Sequence, residues 1–159
     1  NTGIFSLTVC KYLDFAKLPR RFYLFDTFAG IPESQMSATE RTHRLKENRD
    51  FYQDCFDIAR QNFAPWPNTQ LVRGLVPDTL SNVDIQQVAY LSIDMNIAKP
   101  ERDALEFFWP KLVSGGVIVL DDYGWKNYAE QKAPIDEFAN AHGIQICTLP
   151  TGQGIIVKP

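Results

Sequence analysis

Short apolar runs alternate with longer amphipathic stretches along this chain. Residues 22–25, Val88–Ile93 and 117–120 are almost continuously apolar and rich in aromatic or β-branched side chains. Apolarity without alternation over so few residues predicts strands buried on both faces, as a parallel sheet requires. A weaker run at 70–73 predicts a further strand that stops at Gly74. Residues 144–149 and Gly154–Val157, joined by Pro150-Thr151-Gly152, read as an antiparallel hairpin at one edge of the sheet.

Helical periodicity fills the gaps. Over residues 48–63 the spacing puts Phe51, Cys55, Ile58 and Ala59 on one face, which predicts a single helix with that face inward. Pro100 suits a first turn, opening a helix over 101–112 with Leu105, Phe108 and Trp109 inward; Pro110 should kink it or end it early. Ala129–Ala141 is a third helix, closed by His142-Gly143. Residues 29–47 are polar, poor in aliphatics and the least regular stretch, expected as a lid or an exposed surface segment. Strands alternating with helices predict an α/β fold, a doubly wound and mostly parallel Rossmann-like sheet in a single domain over residues 1–159.

Composition narrows the function. The formal net charge is −3 and there is no Lys/Arg run to neutralise phosphates, which argues against nucleic acid as a partner. No apolar stretch approaches the roughly 18 residues of a membrane helix, and no signal peptide is visible, so a cytoplasmic protein with no membrane partner is expected. Cys10, Cys55 and Cys147 fit neither a disulfide framework nor metal-ligand spacing and read as buried, reduced thiols. The chain opens on Asn1 without a Met and its first residues look internal, so an N-terminal truncation is expected.

The apolar runs end in acids: Asp26, Asp94 and the pair Asp121-Asp122. In an open parallel sheet the ligand site lies outside the carboxyl ends of the strands. If the strands before Asp94 and Asp121 are neighbours, three carboxylates converge, and a cation or raised pKa values must relieve their repulsion. An all-oxygen set with no nearby His or Cys favours Mg²⁺ or Ca²⁺ over zinc. Each acid also has a plainer reading: Asp94 as a helix cap, Asp121-Asp122-Tyr123-Gly124 as a turn, and Asp26 as a turn former instead of a partner for ribose hydroxyls. His142 reads as a helix-end residue, and His43 as a substrate contact or a bystander.

Three segments carry a resemblance. Tyr23-Leu24-Phe25-Asp26-Thr27-Phe28-Ala29-Gly30-Ile31-Pro32-Glu33, Tyr90-Leu91-Ser92-Ile93-Asp94-Met95-Asn96 and Val119-Leu120-Asp121-Asp122-Tyr123-Gly124-Trp125 resemble the macrocin O-methyltransferase family, as does the closing Leu149-Pro150-Thr151-Gly152-Gln153-Gly154. The resemblance implies a class I methyltransferase fold, S-adenosylmethionine as methyl donor, Mg²⁺ as metal and a sugar-containing small-molecule hydroxyl acceptor. It implies metal ligation by Asp94, Asp121 and Asp122, the cofactor ribose near Asp26, adenine near Arg73 and Gly74, and Gly3 in the loop that cradles the methionine part. Asp94 is also the expected general base. The sequence departs from the family pattern in two places. The first, central strand is missing, with Ser6 where a second glycine is common, which predicts a gap in the sheet. Asn96 stands where many members carry an acid. Two rival readings are a methyltransferase-like domain that binds metal without cofactor, and an Mg²⁺-binding receiver domain, in which the acidic pair would precede the third acid instead of following it. Homo-oligomerisation is left open.

Overall fold

In the computed structural model, residues 2–159 are described. The elements run α1 Ile4–Tyr12, β1 Phe22–Asp26, α2 Ala38–Phe51, α3 Phe56–Phe63, β2 Thr69–Arg73, β3 Val88–Ile93, α4 Ala98–Phe108, β4 Leu112–Leu120, α5 Ala129–Ala141, β5 Cys147–Thr148 and β6 Gly154–Val157. The strands form two sheets. One is the parallel pair β1–β2; the other has the order β3-β4-β6-β5, with β3–β4 parallel and β4–β6 and β6–β5 antiparallel. The expected hairpin therefore exists, with β5 at the edge, although only Cys147 and Thr148 of the run 144–149 are paired.

Each sheet carries its own core. Phe22, Leu24 and Leu71 pack against buried Cys10, Phe15 and Phe63 beneath α1 and α3. Ile93, Ile118, Leu120 and Ile156 pack against Leu105 and Phe108 of α4 and Ile135 and Phe138 of α5. The two-residue period of β1 sends Tyr23 and Phe25 the other way, onto this larger core, where the Phe25 and Phe108 ring centroids lie 5.9 Å apart. β1 thus spans the two halves by side chains, without a hydrogen-bonded ladder to β3.

Several expectations need correction. β1 is half-buried along its whole length and Ala89, Tyr90 and Ser92 of β3 are exposed, because each strand has a partner on one side only. The helix expected over 48–63 is two helices, broken at residues 52–55. The Asn48 side chain is spent on both backbone groups of Ile31, and Asp54 caps Phe56 N at 3.2 Å. Its supposed inner face is not inner: Phe51 is 77% and Ile58 53% exposed, while Ala59 is fully buried. Residues 38–47, read as irregular, belong to α2. α4 does bury Leu105 and Phe108, and Pro110 ends it at Phe108. Only Cys10 of the three free thiols is buried; Cys147 is exposed.

Candidate metal and cofactor site

Register explains why the acids meet. β3 and β4 are parallel neighbours with Ile93 opposite Leu120, and the Asp121 N–H donates to the Ile93 carbonyl at 3.0 Å, continuing the ladder one step past the strands. Asp94 and Asp121 are therefore adjacent, and Asp122 follows. One carboxylate oxygen from each of Asp94, Asp121 and Asp122 falls within 4.8 Å of the others. Among the described residues this is the one such cluster of possible metal ligands.

The site is electrostatically tense. Partial burial, then the charges of Asp94 and Asp121, push the Asp122 carboxyl up to about 7, with Arg44 opposing. Asp94 opens on the cleft and yet is flanked closely by protein; desolvation, then Asp121 and Asp26, raise it to about 6. Asn96 Nδ2 donates to Asp94 Oδ1 at 3.2 Å and Gln153 Nε2 to Asp121 Oδ1 at 3.0 Å. Asp122 Oδ2 is buried and accepts no hydrogen bond. An orphaned buried carboxylate oxygen is costly unless a cation completes it. The all-oxygen donor set and this orphan atom fit a hard divalent cation such as Mg²⁺.

The acids line a cleft of about 540 Å³ that also takes in Asp26, Gly74, Tyr52 and Tyr128. Asp26 ends β1, and its Oδ1 accepts Phe28 N–H at 2.7 Å, so the turn reading holds for one oxygen while the residue still faces the cleft. Gly74 lies at the cleft with φ +144°, backbone that side chains rarely adopt. Arg73 turns away, ion-paired with Asp54 and set 5.0 Å over the Phe56 ring. Gly3 precedes α1 at φ +90°, closed against the Phe63 ring, and its neighbour Thr2 reaches the cleft. His43 is exposed on α2, and His142 caps α5, with its ring Nδ1 2.9 Å from the Phe138 carbonyl.

Sequence reasoning missed a buried polar frame around the acids. Arg44 is 3% exposed; it pairs with Glu47 at 2.6 Å, donates to the Asn127 carbonyl at 2.8 Å and lies 3.7 Å over the Tyr128 ring. Glu40 closes a capping box with Ser37 and accepts Ala98 N–H at 2.7 Å. Glu101, in the first turn of α4, is buried and pushed up to about 8, chiefly by desolvation. The Ser37-x-x-Glu40 spacing is a readable helix-start signal; nothing local marks Arg44 or Glu101 as buried.

The pattern of the family described as macrocin-O-methyltransferase (TylF) matches residues 5–149. The 8-demethyl-8-(2,3-dimethoxy-alpha-L-rhamnosyl)-tetracenomycin-C 4'-O-methyltransferase of Streptomyces olivaceus is 29% identical over 110 residues, 65% of this chain and 42% of that protein. The mycinamicin III 3''-O-methyltransferase of Micromonospora griseorubida is 25% identical over 150 residues, 89% of this chain and 57% of that protein. The chain thus spans about half the length of these relatives. Among solved structures, the O-methyltransferase NovP superposes with a TM-score of 0.80 at 22% identity, over 96% of this chain and 65% of that one, a likeness of fold.

Proposed function

The chain belongs to the macrocin-O-methyltransferase family, and from that premise we propose that it serves an S-adenosylmethionine-dependent, Mg²⁺-assisted methyl transfer to a hydroxyl of a glycosylated small molecule. The observation that carries the metal part is the triad of strand-end carboxylates, with its buried, unpartnered Asp122 oxygen. The rhamnosyl group in one relative's name supports a sugar hydroxyl as acceptor.

Asp94, Asp121 and Asp122 hold the metal in this reading, and Asp26 and Gly74, with Gly3 and Arg73 at the margin, hold the cofactor. When bound, the cofactor supplies a methyl group on a sulfonium centre, and Mg²⁺ supplies Lewis acidity towards the acceptor hydroxyl. Asp94, the acid most open to the cleft, takes the proton that this hydroxyl gives up as its oxygen gains the methyl group. Tyr52 and Tyr128 wall the cleft beside the acids and restrict how an acceptor approaches. Holding the two reactants in line can be worth about 7–11 kcal/mol of barrier.

Titration of S-adenosylhomocysteine, with and without Mg²⁺, tests the reading, alongside Mn²⁺ binding to the parent and to Asp121→Ala. The parent should bind both ligands, and Asp121→Ala should lose the metal. Unchanged metal affinity in Asp121→Ala would remove the triad from the account. The split sheet favours a second reading, in which the chain binds metal without cofactor, because Asp26 and Gly74 lie on one sheet and the metal acids on the other. Metal binding without S-adenosylhomocysteine binding would select it.

A further inference from the structure

Behind the triad lies an acid that the mechanism above does not use. Glu101 is 4% exposed, and its Oε1 gathers three donors: Met95 N–H at 3.1 Å, Asn96 N–H at 3.1 Å and Gln131 Nε2 at 2.6 Å. Gln131 is itself 2% exposed, so the two side chains meet out of reach of solvent. An acid in a first helical turn normally sits in water, where it complements the helix dipole. Burying one near the carboxylates of Asp94 and Asp122 costs stability, and a well-packed apolar residue would serve the fold at least as well.

The geometry of the neighbouring turn supplies the reason. The chain must leave β3, present Asp94 to the cleft and enter α4 within a few residues. It does so with Asn96 at φ +63°, a conformation unfavourable to all but glycine and, less severely, Asn and Asp. In that turn two successive N–H groups converge on one carboxylate oxygen, while Asn96 Nδ2 reaches back to Asp94 Oδ1 at 3.2 Å. Glu40 of α2 secures the next step through Ala98 N–H.

We propose that Glu101 is a positioning residue that locks the Met95–Asn96 turn and thereby holds the Asp94 carboxylate in the metal triangle. This rests on the metal reading of the triad. Groups that orient metal ligands typically change metal affinity by about 10–100-fold when removed. Glu101→Ala should weaken Mn²⁺ binding by that factor, about 10–100-fold, and expose the Met95 and Asn96 amides to fast hydrogen exchange. Affinity for S-adenosylhomocysteine should stay at the parent's level, since Asp26 and Gly74 lie on the other sheet. Glu101→Gln, which retains an oxygen acceptor, should restore both metal affinity and amide protection. Glu101→Leu, which refills the volume, is made in parallel and should behave like the Ala variant; it stands in if that variant does not fold. A folded Ala or Leu variant with the parent's Mn²⁺ affinity overturns the proposal, as does a Gln variant no better than Ala. Equal losses of metal and S-adenosylhomocysteine affinity would show general disruption and overturn it too. A parent that binds no Mn²⁺ defeats the metal reading itself; unchanged Met95 and Asn96 exchange in Glu101→Leu then overturns the lock on its own.

Discussion

Asp122 shows how one residue ties the site to stability. Its folded-state pKa is raised from the ordinary 3.8 to about 7, and that of Asp94 to about 6. The groups acting on them include Asp121, Asp26 and Glu47, with Arg44 opposing at Asp122. Above the ordinary carboxylate value the folded chain holds protons that the unfolded chain has released, so stability falls as pH rises through this window. Glu101, pushed up to about 8, acts in the same direction, while Asp54 and Asp136 are pushed down and titrate below the window. In EDTA, the melting temperature should fall from pH 5 to pH 8, and Asp122→Asn should flatten the slope. Mg²⁺ should restore stability most at the upper end, because it binds the ionised acids. A melting temperature that rises with pH in EDTA would contradict this electrostatic account. The three triad acids were legible in sequence because each follows an apolar strand whose end topology fixes. Glu101 was not, since local pattern reports neither the burial of a first-turn acid nor the two amides it meets.

Among the elements, α2 is the one the sequence hid. Its interior is almost wholly polar, so hydrophobic periodicity gives no signal, and only the Ser37–Glu40 capping box announces it. Two of its polar contacts reach the neighbourhood of the acids: Glu40 to the start of α4, and Arg44 to the turn at 126–128. It therefore braces both acid-bearing loops, the one after β3 and the one after β4. Arg44→Ala removes a buried charged donor and should cost about 1.5–3 kcal/mol, measured by urea denaturation. The exposed Lys46→Ala on the same helix should stay within about 0.5 kcal/mol of the parent. If the two variants cost the same, α2 is not anchored through Arg44. The break at residues 52–55 was invisible for a related reason: the 3.6-residue spacing continues through it, and only the tertiary commitments of Asn48 and Asp54 interrupt the backbone.

At the scale of the whole molecule, apolar runs told which segments are strands but not how many partners each one has. β1 and β3 read as strands buried on both faces, yet each is paired on one side only. Successive residues of a strand aim their N–H groups to opposite sides. Phe22 N–H reaches Asn68 and the Asp26 carbonyl receives Gly74 N–H, so the even positions of β1 face β2 and the amides of Tyr23 and Phe25 face the open side. In β3 the Ile93 carbonyl faces β4, which turns the amides of Tyr90 and Ser92 to the open side. Hydrogen exchange should therefore alternate along both strands, with Tyr23, Phe25, Tyr90 and Ser92 exchanging well before Leu24 and Leu91. The cleft draws Asp26 and Gly74 from one sheet and Asp94, Asp121 and Asp122 from the ends of strands in the other, so a ligand that touches both ties the halves together. S-adenosylhomocysteine, held from the β1–β2 side, should then slow exchange at Leu24 first, Mg²⁺ alone at Leu91 only, and the two ligands together at both. Equal protection of all six amides without ligand would mean that β1 and β3 do not present open edges in solution. Protection by Mg²⁺ on both strands would mean that the side-chain bridge through Phe25 and Phe108 already makes the halves one cooperative unit.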